Sequence, residues 1–282
     1  MNVRKAVITV ASPSQRHLPF QTLIDADGER KAVLQVIVEE ALRANMDEIA
    51  LVIPPGEQEA FGKVSGGHLD RITFIEQRDS RGYGHALHLA KDFCAGEPFL
   101  HLVGDHLWVS SEGGQSCAQR LVKAASEHEC SISTVKETRE HLLPDFGAVG
   151  GRCVAGFQDL YEVEAVLEKP TPTVAEQELS FPGIRAGYYL CFFGMHVLTP
   201  RVLDLLGELL EDPDARPTLS EALAKLADRE KYLAMVMQDH RYDVGEKYGL
   251  LTAQLAISLN GRDREEVLTR VAGLLASRRL GA

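Results

Sequence analysis

No stretch of this 282-residue chain approaches the roughly 20 continuous apolar residues of a membrane-crossing helix, so no membrane span is expected. Cations are in deficit: 30 Lys and Arg against 41 Asp and Glu leave a formal net charge of −11. That balance argues against a nucleic-acid partner, because phosphate backbones are gripped by clustered positive charge. The five cysteines, Cys94, Cys117, Cys130, Cys153 and Cys191, form no CxxC pair and no Cys/His zinc spacing. They read as buried thiols of a cytoplasmic protein. The opening residues, MNVRKAVITVAS, carry no signal-peptide cleavage pattern, in keeping with that location. Internal repeats and low-complexity linkers are missing too. What is present is 45% hydrophobic content, enough for a substantial core at this length.

Strand-like and helix-like patterns alternate through the first hundred residues, the mark of parallel βαβ units. Lys5 to Val10, Asp47 to Ile53, Ile72 to Glu76 and Pro98 to Val103 read as strands, with helices over Val33 to Ala44 and Tyr83 to Phe93. This half is Rossmann-like. Further on, Cys130 to Lys136 and Glu162 to Leu167 read as strands, followed by an apolar run from Ile184 to Phe193. Helices are expected near Arg201 to Leu210, Leu219 to Ala227, Lys247 to Leu259 and Arg264 to Arg278. The expected fold is α/β: a Rossmann-like mixed sheet, mostly parallel, flanked by helices. Residues 1–262 form its main domain and 263–282 a terminal helix. That helix has Val267, Leu268, Val271, Leu274 and Leu275 on one face, which either covers the core or meets a partner subunit of a homo-oligomer.

Ligands of open α/β sheets lie beyond the carboxyl ends of the strands, so the residues just after each strand carry the functional information. After the first strand, Ala11, Ser12 and Arg16 frame a turn whose amides and guanidinium suit a triphosphate, although a solvated arginine reads the same way. After the third, Gln77 precedes Gly82-Tyr83-Gly84-His85-Ala86, where an amide can pair with a base edge and glycine permits close backbone approach. After the fourth comes Asp105, and near the C-terminus Asp243 precedes Gly245. Each is a candidate ligand for a hard divalent cation and equally a turn or helix cap. Glu168 and Lys169 at a strand end suit sugar hydroxyls and a phosphate, or a salt-bridged edge.

In order and spacing these pieces, together with Phe146-Gly147-Ala148-Val149, Gly187-Tyr188 and Tyr242-Asp243-Val244-Gly245-Glu246-Lys247, span nearly the whole chain. The set resembles the bacterial UTP-glucose-1-phosphate uridylyltransferases within the sugar-phosphate nucleotidyltransferases. The resemblance implies a GT-A-like fold and a cytoplasmic enzyme of carbohydrate metabolism, converting UTP and glucose 1-phosphate to UDP-glucose and pyrophosphate by direct in-line transfer. It implies Mg²⁺ on Asp105 and Asp243, catalytic roles for Arg16, Asp105, Lys169 and Asp243, and nucleotide contacts from Ala11, Ser12, Gln77 and Gly82. Gly147, Glu168, Gly187 and Tyr188 would line the sugar site.

The chain departs from the family pattern in two places. Where the family has a glycine-rich GxGTR loop, this sequence reads Ser12-Pro13-Ser14-Gln15-Arg16, and Pro13 removes an amide donor. The family's Pro-Lys step is absent from Phe20 to Lys31, leaving Arg16 and Lys31 as stand-in cations. These departures keep a second expectation open, a non-catalytic sugar-nucleotide-binding or regulatory relative.

Overall fold

A computed structural model describes residues 1–12, 16–110, 114–179, 181 and 183–279. The first strand, β1 (Lys5–Thr9), is buried along its whole length, as a strand covered on both faces must be. Its side chains divide between two cores: Ala6 and Ile8 join one apolar cluster and Val7 the other. A hairpin of β2 (Thr22–Ile24) and β3 (Arg30–Ala32) follows and leads into α1 (Val33–Arg43), whose Val33, Leu34, Ile37, Val38 and Ala41 are buried. Next come β4 (Glu48–Ile53), the short α2 (Gln58–Lys63) and β5 (Ile72–Glu76). The helix expected over Tyr83 to Phe93 is two segments, α3 (Tyr83–His88) and α4 (Lys91–Cys94). Between them the Ala90 amide bonds Leu87 O, three residues back rather than four, and the axis breaks there. Then β6 (Phe99–Val103) and β7 (His106–Val109) lead to α5 (Cys117–His128). Sequence patterning passed over α5, yet Ser116 and Gln119 form a capping box at its start.

The second half supplies β8 (Ser131–Arg139), β9 (Gly147–Cys153), β10 (Leu160–Glu168), α6 (Pro172–Glu178), β11 (Tyr188–Leu198), α7 (Arg201–Leu209) and α8 (Leu219–Ala227). It closes with β12 (Tyr232–Val236), β13 (His240–Asp243), α9 (Gly249–Leu259) and α10 (Arg264–Arg279). Nine strands make one sheet in the order β5-β4-β1-β6-β11-β8-β12-β10-β9. The parallel pairings are β5-β4, β4-β1, β1-β6 and β8-β12, while β11 and β10 run antiparallel to their neighbours. The sheet is mixed as expected but not mostly parallel: among the described residues four of its pairings are parallel and five antiparallel, with the parallel ones concentrated in its first half. Helices α1, α5 and α9 cover one face; α3, α7 and α8 cover the other. Gly194, at φ +81°, lies in the register irregularity of the β11–β8 pairing between Phe192 and His196, and a Cβ there would stand 2.8 Å from Val103 Cγ2.

Helix α10 lies against α9 and leaves Leu268, Leu274 and Leu275 exposed, so its apolar face does not close the core of this chain. Among the described residues no helix is long and apolar enough to cross a membrane.

Candidate functional site

The carboxyl ends of β1 and β6 and the start of α3 enclose a cavity of about 320 Å³, lined among others by Ala11, Ser12, Gln77, Gly82, Tyr83 and Asp105. A second cavity of about 220 Å³ holds Gly147, Glu168, Ser220 and Arg241, and shares Tyr83, Val103 and His106 with the first. The two therefore meet across those three residues, one beside the parallel strands and one beside the antiparallel extension.

Asp105 and Asp243, 138 positions apart in the chain, are brought together beside His106, which lines both cavities, by a two-stranded ribbon. Strands β7 and β13 pair antiparallel with Asp243 opposite His106, and the Val244 amide donates to Asp105 O at 2.9 Å. Gly249 is required where α9 begins, because a Cβ there would fall 1.7 Å from Asp243 O. Ligand atoms of Asp105, His106 and Asp243 lie within 4.8 Å of one another. His106 Nδ1 is 2.6 Å from Asp105 Oδ1, and Asp243 Oδ1 accepts from the Gly245 amide at 2.7 Å. Two partly buried carboxylates, each oriented by a hydrogen bond, fit a hard divalent cation that keeps several waters. With Nδ1 already on Asp105, His106 would orient that carboxylate toward such an ion.

The Gln77 end of the first cavity is held as closely. Gln77 is 6% exposed; its Nε2 donates to Gly82 O at 3.1 Å and lies 3.2 Å from His85 Nδ1. The Gly82 carbonyl demands a donor, which leaves Gln77 Oε1 as the amide's acceptor for a ligand. Burial, helped by Arg81, lowers the His85 pKa, so the ring is neutral at pH 7 and one nitrogen can accept from Gln77. Gly82 adopts φ +91°, and a Cβ on Gly84 would come 2.5 Å from Pro217 O, which explains both glycines.

In the second cavity Ser220 Oγ donates to Glu168 Oε2 at 2.5 Å. A Cβ on Gly147 would lie 2.6 Å from Ser220 Oγ and 3.1 Å from Glu168 Oε2, so glycine is what lets β9 approach this pair. Lys169 is exposed, at φ +48°, and lines neither cavity. Gly187 and Tyr188 line a separate pocket of about 150 Å³, where Tyr188 lies against the Arg139 and Arg185 guanidiniums.

The two stand-in cations are committed elsewhere. Arg16 is ion-paired with Glu57 and does not line the first cavity. Lys31 Nζ lies 2.8 Å from Asp25 and 2.7 Å from Glu39. Burial opposes its charge, but those carboxylates outweigh it and raise its pKa. The expectation that Lys31 supplies the missing charge is corrected by this pairing. Pro13, Ser14 and Gln15 of the divergent loop lie outside the described residues.

Sequence reasoning missed His106, His85, Ser220 and Arg241. His106 directly follows Asp105, His85 stands inside the Gly82–Ala86 motif without having been given a role, and Arg241 stands two before Asp243. Ser220 had no local signal, since it reaches Glu168 from α8.

The model of the nucleotidyl transferase family matches residues 21–259, beginning beyond the divergent loop. The UTP-glucose-1-phosphate uridylyltransferase of Staphylococcus epidermidis is 26% identical over 295 residues, 94% of this chain and 96% of that protein. Among solved structures, a UDP-glucose pyrophosphorylase complexed with UDP-glucose superposes with a TM-score of 0.74 at 22% identity, covering 90% of this chain and 98% of that one. The UTP-bound enzyme of Acinetobacter baumannii gives 0.72 at 21%, covering 96% and 99%. Sheet, paired cavities and joined aspartates agree with a match over most of the sequence: the chain belongs to the nucleotidyl transferase family.

Proposed function

We propose that the protein is a uridylyltransferase acting on UTP and glucose 1-phosphate, with Mg²⁺ held by Asp105 and Asp243. The observation that supports this reading is the β7–β13 register, which pairs Asp243 with His106, a residue of both cavities, next to Asp105 of the first. A phosphate oxygen of the sugar phosphate attacks the α-phosphorus of UTP, the bond from that phosphorus to the bridging oxygen breaks, and pyrophosphate leaves. Ala11, Ser12, Gln77 and Gly82 hold the nucleotide, Gly147 and Glu168 the sugar. Of the other candidates, Lys169 and Arg16 line neither cavity and Gly187 with Tyr188 lines a pocket of its own, so no substrate contact is assigned to them. Bound at the aspartates, Mg²⁺ neutralises charge on the triphosphate and the departing pyrophosphate. The chain's own contribution is positioning, which can supply several kcal/mol of the barrier, on the order of 7 or more in well-oriented systems.

A pyrophosphate-release panel over several nucleotides and sugar phosphates, with Mg²⁺, tests the proposal. UTP with glucose 1-phosphate should give the fastest release. Tight UDP-glucose binding with no release from any pair would favour the non-catalytic relative.

Base choice has its own test. Uracil presents an N3–H donor to Gln77 Oε1, whereas cytosine presents an acceptor. Removing the His85 partner that orients Gln77, as in His85→Leu, should lower the UTP-over-CTP preference in kcat/KM about tenfold, the equivalent of one hydrogen bond. An unchanged preference would mean that His85 does not hold the amide. On the sugar side, Ser220→Ala frees Glu168 and is expected to raise the KM for glucose 1-phosphate about five- to tenfold while leaving the KM for UTP unchanged. Equal effects on both substrates would contradict the assignment of Glu168 to the sugar.

A further inference from the structure

Beside the sugar-side cavity lies another, of about 250 Å³, that the proposed reaction does not use. Lys136 reaches it from β8 and Arg241 from β13, and Phe146, Phe192 and Arg241 form the wall shared with the sugar side. Both cations meet neutral partners: Lys136 Nζ donates to Asp239 O and Arg241 Nη1 to Phe192 O, the latter at 3.1 Å. Aromatic rings cover them, with Phe193 5.7 Å from Lys136 Nζ and Phe146 4.5 Å from the Arg241 guanidinium carbon. Among the described residues neither makes an ion pair. Asp239, adjacent in space, directs its carboxylate to Arg120 and Cys117. Asp105, Asp243 and Glu246 attract Arg241 only from longer range.

An ammonium has three donors and a guanidinium five, and each of these two cations, both on the cavity wall, makes one hydrogen bond to a carbonyl, so donors remain for an anion. Placing two like charges together in half-buried, ring-lined surroundings is unfavourable without an anion between them. The volume is below the roughly 300–1,000 Å³ of sites for drug-sized ligands, which selects a compact anion.

We propose that Lys136 and Arg241 form a second phosphoryl-binding site, separate from the paired aspartates, that takes a small phosphate-bearing anion. The phosphoryl group has two possible sources: free phosphate or pyrophosphate, or the phosphate end of a sugar phosphate reaching through the shared wall. Because binding here needs neither turnover nor metal, the site stands or falls independently of the proposed reaction.

Isothermal titration calorimetry on the full chain in EDTA, with inorganic phosphate, pyrophosphate and glucose 1-phosphate in separate arms, tests it. Binding in at least one arm is expected, weakened about tenfold or more by Lys136→Met, as for loss of a charged hydrogen bond, and unaffected by Asp105→Asn. Lys136→Gln serves if the methionine variant fails to fold. Glucose 1-phosphate binding that also weakens in Glu168→Gln assigns the sugar phosphate as source; inorganic phosphate binding that ignores Glu168→Gln assigns the free anion. No binding in any arm, or binding unmoved in a folded Lys136 variant, overturns the proposal.

Discussion

Asp105→Ala is expected to slow pyrophosphate release from UTP and glucose 1-phosphate by about a hundredfold to a thousandfold, the range for losing one main electrostatic group at a reacting phosphate. Asp105 is the more constrained of the two aspartates. It accepts from His106 at 2.6 Å, its carbonyl receives the Val244 amide, and Gly104 before it packs so closely on Thr9 and Val10 that a Cβ would come 2.8 Å from Thr9 O. Asp243→Ala should lower the rate by a similar factor, and the double variant should be little worse than either single one, because two ligands of one ion act as a unit. His106→Ala should cost less than either, since the imidazole orients a ligand. Steady-state rates on the four proteins check this, and fully multiplicative losses would show that the aspartates act separately.

The second large effect is on stability. Ser133, on β8, is fully buried and joins two other buried groups: His196 Nδ1 at 2.6 Å and Tyr232 Oη at 2.5 Å. His196 stacks on His101 at 5.9 Å, and His101 in turn meets Val7 O at 3.0 Å and the Tyr83 hydroxyl. A polar path thus crosses the sheet from β12 to the residue that lines both cavities. Ser133→Ala strands two buried polar atoms at once and should cost roughly 2–5 kcal/mol, a fall in Tm of about 5–10 °C. Tyr232→Phe should cost only about 1 kcal/mol, because Ser133 keeps its bond to His196. Equal melting shifts for the two variants would contradict Ser133 as the joint.

The same path sets an acid limit. Burial lowers the His101 pKa from 6.5 to about 4 and holds that of His196 well below its ordinary value, with His101 adding to the effect. Below pH 6.5 the unfolded chain therefore binds protons that the folded chain refuses. Stability is complete above the unfolded value and falls with decreasing pH, by up to about 1.4 kcal/mol per pH unit for each ring. Thermal melts between pH 7 and pH 5 should show the decline, reduced in His196→Gln.

The βαβ half was legible because strands buried on both faces leave near-continuous apolar runs, as in β1, β4 and β6. Helix α5 was not, since its buried face is made of Cys117, Ala118, Leu121 and Ala125, too small to stand out from the polar residues between them. Strand β9 hides for a similar reason: GAVGGRC is mostly glycine and small residues, and those glycines serve close packing against α6 and Glu168. Asp105 and Asp243 could be named from motifs, but their meeting depends on two four-residue strands, HLWV and HRYD, too short for a clear strand pattern and paired across a long separation. Arg16 and Lys31 show the opposite limit. A cation's availability depends on which carboxylates fold against it, and Glu57, Asp25 and Glu39 give no local sign of their partners.

The central claim is that the β7–β13 ribbon builds one divalent cation site from Asp105 and Asp243. Titration with Mn²⁺, followed by the loss of its free electron paramagnetic resonance signal with and without UTP, tests it most directly. One site per chain, tightened by UTP and lost in both Asp105→Asn and Asp243→Asn, is the predicted result. Mn²⁺ binding unchanged in both variants would contradict the account.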